Sequence, residues 1–201
     1  SYRIDSGDEF MSKRNFQLRQ LHRRALLTGL ACTAIVPIAG VAGAKKIPRS
    51  HGPRSMKIVA YSGSEKPGTL IISNQNRTLH RVLEGGQAER YQISVGRDGF
   101  IWTGTTYVGR KAEWPGWRPP GAMRVRDASL PEYVPPGPYN PLGARALYLY
   151  SGNRDTLYRI HGTNSAGTSG GFETSGCFRM TNADVVDLFK RVRNGTKVIV
   201  H

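Results

Sequence analysis

Two residues in this 201-residue chain have the types and spacing to do covalent chemistry. Cys177 lies in Thr174-Ser175-Gly176-Cys177-Phe178-Arg179, sixteen residues after His161 in Ile160-His161-Gly162-Thr163-Asn164. A thiol attacks a carbonyl as thiolate and therefore needs a base or a positive field beside it. An imidazole can take that proton and later return it to a leaving amine. With no acid obviously placed to fix the imidazole tautomer, a backbone carbonyl near Gly162 is the expected partner. Gly176 permits a tight turn ahead of the sulfur. Amides of the Ser175–Cys177 segment are candidates to face a developing oxyanion. Arg179 is a candidate to pair with a carboxylate or to hold the loop.

A run that starts at Thr69 (Thr69–Ser73) and one at Thr78–Leu83 flank Asn74-Gln75-Asn76 as a hairpin, and Arg90–Val95 and 100–108 read as further strands. Leu147–Tyr150 and Leu157–Ile160 form another pair around a turn beginning at Ser151-Gly152-Asn153, and the second strand delivers His161 at its end. Residues 108–146 hold eight of the twelve prolines, interleaved with Trp114, Trp117, Tyr133 and Tyr139. That composition predicts an ordered, proline-stiffened excursion walling a cleft, with Trp114 and Tyr139 as substrate-contacting candidates. One principal helix is expected from Asn182 to Asn194. Asn182 is its N-cap, Val185, Leu188, Phe189 and Val192 form its apolar face, and its terminal charges form a solvated surface. Gly195 stops it, and Thr196–Val200 closes a mainly β, sandwich- or barrel-like fold.

Residues 1–10 precede Met11 and read as a foreign addition or a mis-assigned start. From Met11, a stretch with Lys13, Arg14, Arg19, Arg23 and Arg24 leads into the uncharged run Ala25–Ala44, which ends in Ala42-Gly43-Ala44. This is the pattern of an export signal, with twin-arginine character at Arg23-Arg24; an uncleaved membrane anchor is the alternative. Removal of the signal takes Cys32 with it and leaves Cys177 without an intramolecular partner, in a periplasmic or cell-wall setting. Residues 45–67 read as a basic linker, and 68–201 as the folded domain. The formal charge is +15, of which residues 45–201 keep +12. Such a charge favours polyanionic surroundings without choosing among them. The export pattern and the lack of a recognised motif argue against nucleic acid, and the histidines lack metal-ligand spacing.

The motifs His161-Gly162-Thr163-Asn164, Thr174–Met180 with Asn182, and Pro138–Leu147 together resemble the active-site signature of the L,D-transpeptidases, the YkuD-type catalytic domain, over residues 68–200. Two features depart from it: Thr103-Gly104-Thr105-Thr106 lacks the prolines of the family's turn, and Ser175 stands where histidine is frequent. The resemblance implies that Cys177 attacks the third residue of a peptidoglycan tetrapeptide stem, with His161 as base and then acid. The thioester would pass to an amine of a neighbouring stem, giving 3–3 cross-links, or to an envelope protein. It implies Thr174, Asn164 and Arg179 as substrate-binding residues, carbapenem-type β-lactams as covalent inhibitors, and no metal or cofactor. The alternatives are a thiol L,D-carboxypeptidase trimming stems and a non-catalytic cell-wall-binding protein.

Overall fold

The computed structural model describes residues 54–165 and 170–201. The expected export signal, the first ten residues and the start of the linker lie outside the described residues. In chain order the elements are β1 (Lys57–Ala60), β2 (Leu70–Ser73), β3 (Thr78–Val82), β4 (Gln87–Gln92), β5 (Val95–Gly96), β6 (Gly104–Glu113) and α1 (Gly121–Arg126). Then come β7 (Arg145–Ser151), β8 (Arg154–His161), β9 (Phe172–Thr174), β10 (Phe178–Arg179), α2 (Asn182–Arg191) and β11 (Lys197–Val200). Nine strands form one sheet in the order β1-β4-β3-β2-β11-β6-β7-β8-β10, and β5 pairs with β9. Past β4 the chain crosses to the far edge of the sheet, where Ser94 and Arg179 exchange backbone hydrogen bonds of 2.8 and 2.9 Å. That crossing curls the sheet and accounts for the mainly β, barrel-like reading.

The concave side packs on α2. Leu70, Ile72, Leu79, Tyr91, Val108, Leu147, Leu149, Ile160, Phe178, Val198 and Val200 meet Val185, Leu188 and Val192 of the helix and its end. These positions alternate along their strands, as a sheet with one buried face requires. Truncating one of them, Leu147→Ala for example, removes about 2–5 kcal/mol.

Several boundaries differ from the sequence reading. Residues 57–60, read as linker, form β1 along β4, and Ser55 donates through its N–H (2.9 Å) and hydroxyl (2.7 Å) to the buried Asp184. The strand expected at Arg90–Val95 divides, because Ser94 leaves β4 to bridge Arg179. The strand expected at 100–108 runs instead to Glu113, so the proline-rich excursion spans 114–144 and carries the short helix α1. α2 ends at Arg191, and its N-cap is Thr181, whose hydroxyl accepts from Asp184 N at 3.1 Å. Asn182 is committed elsewhere. The terminal charges Lys190, Arg191 and Arg193 are exposed, as expected, whereas Asp187 within the helix is buried, accepts from the Tyr91 hydroxyl at 2.9 Å and pairs with Arg191 at 3.1 Å. Among the described residues, no helix is long and apolar enough to cross a membrane.

Candidate active site

His161 ends β8 and Cys177 immediately precedes β10, and these two strands run parallel. Phe178 pairs with Ile160 and Arg179 with His161. Phe178 and Ile160 belong to the core, so the alternating neighbours Arg159, His161 and Arg179 take the opposite face. Continued one residue back, the register sets Cys177 beside Arg159, two positions from His161 on that outer face. A hairpin partner extends the surface: Ala146 lies opposite His161, and Tyr148 opposite Arg159.

The imidazole is buried, and its Nδ1 lies 2.7 Å from the Gly162 carbonyl. A carbonyl only accepts, so Nδ1 carries the proton and Nε2 presents its lone pair. The backbone carbonyl expected near Gly162 is thus found at the imidazole. Burial lowers the His161 pKa to about 4; the Gly162 bond works against this, and the charges of Arg179 and Arg159 add to it. His161 is therefore neutral at pH 7.

Gly162 has to be glycine. A Cβ there would fall 2.2 Å from Asn182 Oδ1. That oxygen accepts from Ala144 N (2.9 Å) and Thr163 N (3.1 Å), while Asn182 Nδ2 donates to Thr163 O at 2.7 Å. One amide at the head of α2 thereby ties the end of the long loop to the segment after His161. Asn164 adds a second tie, donating to Tyr139 O at 3.0 Å, and buried Asn140 holds Val134 O and Pro135 O at 3.0 Å each. At the start of the loop, Trp114 N donates to Ala144 O at 2.9 Å.

Cys177 is a free cysteine on a turn that Thr174 holds together. The Thr174 hydroxyl donates to Cys177 O (2.5 Å) and accepts from Gly176 N (3.2 Å). Gly176 has φ 104°, and a Cβ would lie 2.6 Å from the Tyr158 ring, so the turn demands glycine twice over. The half-buried sulfur faces β8 with Leu157 O at 3.9 Å, where Leu157 has φ 66° within an irregular stretch of the strand. Burial pushes the thiol pKa up; the Arg159 N–H and the Arg159 charge pull it back, and Asp155 opposes them. Thiol and imidazole thus each rest neutral.

Of the residues expected at the site, His161 and Gly162 lie at the end of β8, Thr174 ends β9, Gly176 and Cys177 lie in the β9–β10 turn with half-buried Ser175, and Arg179 is on β10. Asn164, Tyr139 and Trp114 belong to the neighbouring loop junction. Tyr139 is 82% exposed, and the hydrogen bonds from Asn164 Nδ2 to Tyr139 O and from Trp114 N to Ala144 O hold backbone in place. Trp102 was not anticipated. Its ring stacks on Tyr158 at 4.5 Å, and its Nε1 donates to Gly176 O at 3.3 Å, so it backs the turn from below. Arg159 was also missed, although its place two residues before His161 on a strand already implied a shared face.

Comparison with known proteins places the fold and the family. A family model described as the L,D-transpeptidase catalytic domain, YkuD, matches residues 67–200. The probable L,D-transpeptidase ErfK/SrfK of Escherichia coli K12 is 35% identical over 141 residues, covering 66% of this chain and 43% of that protein. The chain thus spans less than half the length of that relative. A solved Brucella melitensis chain, described as a probable carnitine operon oxidoreductase, is 41% identical with a TM-score of 0.52, covering 76% of this chain and 99% of its own. Its description names a different activity; the similarity is one of sequence and fold. The catalytic domain of the Enterococcus faecium L,D-transpeptidase, acylated by ertapenem, shares the fold at 19% identity and a TM-score of 0.52, covering 69% of this chain and all of its own. From the motifs, the sheet and the family match together, this chain belongs to the L,D-transpeptidase (YkuD) catalytic-domain family.

Proposed function

We propose that the chain is a peptidoglycan L,D-transpeptidase using Cys177 as nucleophile and His161 as general base and acid. The observation that carries this reading is the fixed tautomer of His161, Nδ1–H on the Gly162 carbonyl, with Cys177 two register positions away on the adjacent parallel strand.

In the acylation step, His161 Nε2 takes the thiol proton as Sγ bonds to the carbonyl carbon of the third stem residue. The C–N bond to the terminal D-alanine breaks, and the departing amine receives the proton from His161. A thioester remains on Cys177. In the second step an amine on a neighbouring stem, or on an envelope protein, attacks the thioester carbon. It gives its proton to His161, which returns it to sulfur as the C–S bond breaks. Since the Gly176 N–H is engaged by Thr174, the Ser175 and Cys177 amides are the turn's candidates to receive the oxyanion. A neutral resting pair suits a substrate-triggered transfer: proton movement accompanies attack and no thiolate waits exposed.

The ertapenem-acylated Enterococcus faecium enzyme supports carbapenem-type β-lactams as acylating inhibitors here too, since a strained amide offers the same carbon to sulfur. The basic-then-apolar pattern of Met11–Ala44 supports a location outside the cytoplasm, at the wall. The test is incubation of the purified chain with a disaccharide-tetrapeptide. Released D-alanine with cross-linked dimers is the expected result. Tripeptide monomers without dimers, even with excess acceptor, would assign a carboxypeptidase instead, and unchanged tetrapeptide would refute both.

A further inference from the structure

On the outer face, one row of side chains runs across three strands and ends at the nucleophile. Arg110 of β6 is opposite Tyr148 of β7, and Tyr148 is opposite Arg159 of β8, with Cys177 beside Arg159 in the next strand's register. The Arg110 guanidinium lies 3.5 Å from the Tyr148 ring centroid, and that of Arg159 lies 4.4 Å from it. The two cations differ in their commitments. Arg159 grips Asp155 through two bonds of 2.7 and 2.9 Å. Arg110 is exposed, and among the described residues no carboxylate pairs with it.

The backbone puts Arg110 there by an irregularity. Register shifts between Val108 and Arg110, at Gly109. Val108 faces the core, and in an unbroken strand Arg110 would face it as well; the bulge turns Arg110 outward instead. Gly109 is required, because a Cβ would lie 2.4 Å from the Tyr150 ring.

We propose that Arg110, held over the Tyr148 ring, is a carboxylate-binding subsite that positions the stem peptide relative to Cys177; this rests on the transpeptidase reading above. A guanidinium stacked on a ring keeps its in-plane N–H donors at the edge, the geometry that binds a carboxylate with two parallel bonds. Strand spacing of about 4.8 Å sets the Arg110 backbone roughly 14 Å from that of Cys177, and the stack over Tyr148 shortens the span for the guanidinium. A peptide extends by roughly 3.3 Å per residue, so a carboxylate within a few residues of the attacked carbonyl falls within reach.

A stem offers three such groups: on its second residue, on the D-centre of the diamino acid, and at its terminal D-alanine. The experiment measures binding by calorimetry to Cys177→Ala protein, which retains the row and does not turn over. The ligands are the free tetrapeptide and three forms, each amidated at one carboxylate. Arg110→Gln in that background weakens the free peptide about tenfold, Arg110→Lys loses less, and one amidated form binds both backgrounds alike. That form identifies the carboxylate. Undiminished binding of the free peptide to folded Arg110→Gln protein, or an equal loss for all four ligands, overturns the proposal. D-alanine release by protein with Cys177 intact is scored separately, so the subsite and the reaction succeed or fail independently.

Discussion

Arg179 stands directly across from His161 in the parallel ladder joining β10 to β8, and this pairing sets the phase of the whole site. Slipping it by one residue would turn Cys177 into the core and Phe178 out of it. The same ladder fixes chemistry and packing together, because Phe178 is fully buried against the core that Ile160 shares.

Replacement of the two reacting side chains has distinct expected outcomes. Cys177→Ala abolishes both D-alanine release and ertapenem adduct formation. His161→Gln keeps the thiol but lowers the acylation rate by about 10²–10⁴-fold, the usual contribution of a positioned base. Stopped-flow acylation followed by intact mass measurement checks both. An equal ertapenem adduct on Cys177→Ala would place the nucleophile elsewhere.

The base works only as neutral imidazole, and burial holds its pKa near 4. The acid limb of kcat/KM is therefore expected near pH 4 and not near 6.5. A limb at 6.5 would show that the imidazole is open to water.

The same shift links stability to pH. Between pH 6.5 and about 4 the unfolded chain binds a proton at this histidine that the folded chain refuses. Stability is thus fully present above 6.5 and falls as pH drops, by about 3 kcal/mol across the window from this group alone. Denaturant titrations of wild type and His161→Gln at pH 7 and pH 4 isolate the effect. The variant loses less on acidification.

Burial raises the Cys177 thiol, so alkylation by neutral iodoacetamide is slow at pH 7 and still accelerating at pH 9. A rate already level at pH 7 would indicate a preformed thiolate.

Asn182→Ala strips partners from Ala144 N, Thr163 N and Thr163 O together, at an expected cost of about 2–4 kcal/mol. Gly162→Ala forces its methyl into Asn182 Oδ1 and loosens the same junction. Thermal unfolding should show both variants less stable, with acylation slowed because Gly162 O orients the imidazole. Unaltered unfolding of Gly162→Ala would contradict the packing described.

The strands that carry the site were legible because their residues alternate or end in marked turns: β7 and β8 around Gly152-Asn153, β11 after Gly195. Cys177 and His161 stand out as candidates less by residue type, since one such pair is a weak signal, than by the ordered motifs around them that resemble the family's signature. What escaped notice depends on contacts distant in sequence. Asn182 looks like a cap because cap and clasp use the same amide, and only the nearness of Ala144 and Thr163 decides between them. The Gly109 bulge hides in an unremarkable strand, and with it the outward turn of Arg110. Trp102 gave no periodic signal; its role arises from Tyr158 and Gly176, both more than fifty residues later.

The most direct test of the account is intact mass spectrometry of the chain quenched in acid during reaction with a tetrapeptide stem. The expected result is a transient mass increase equal to the tripeptide acyl group, located on the peptide containing Cys177, labile to hydroxylamine and absent from Cys177→Ala. D-alanine release without any such adduct at any time, or an adduct on another residue, would contradict it.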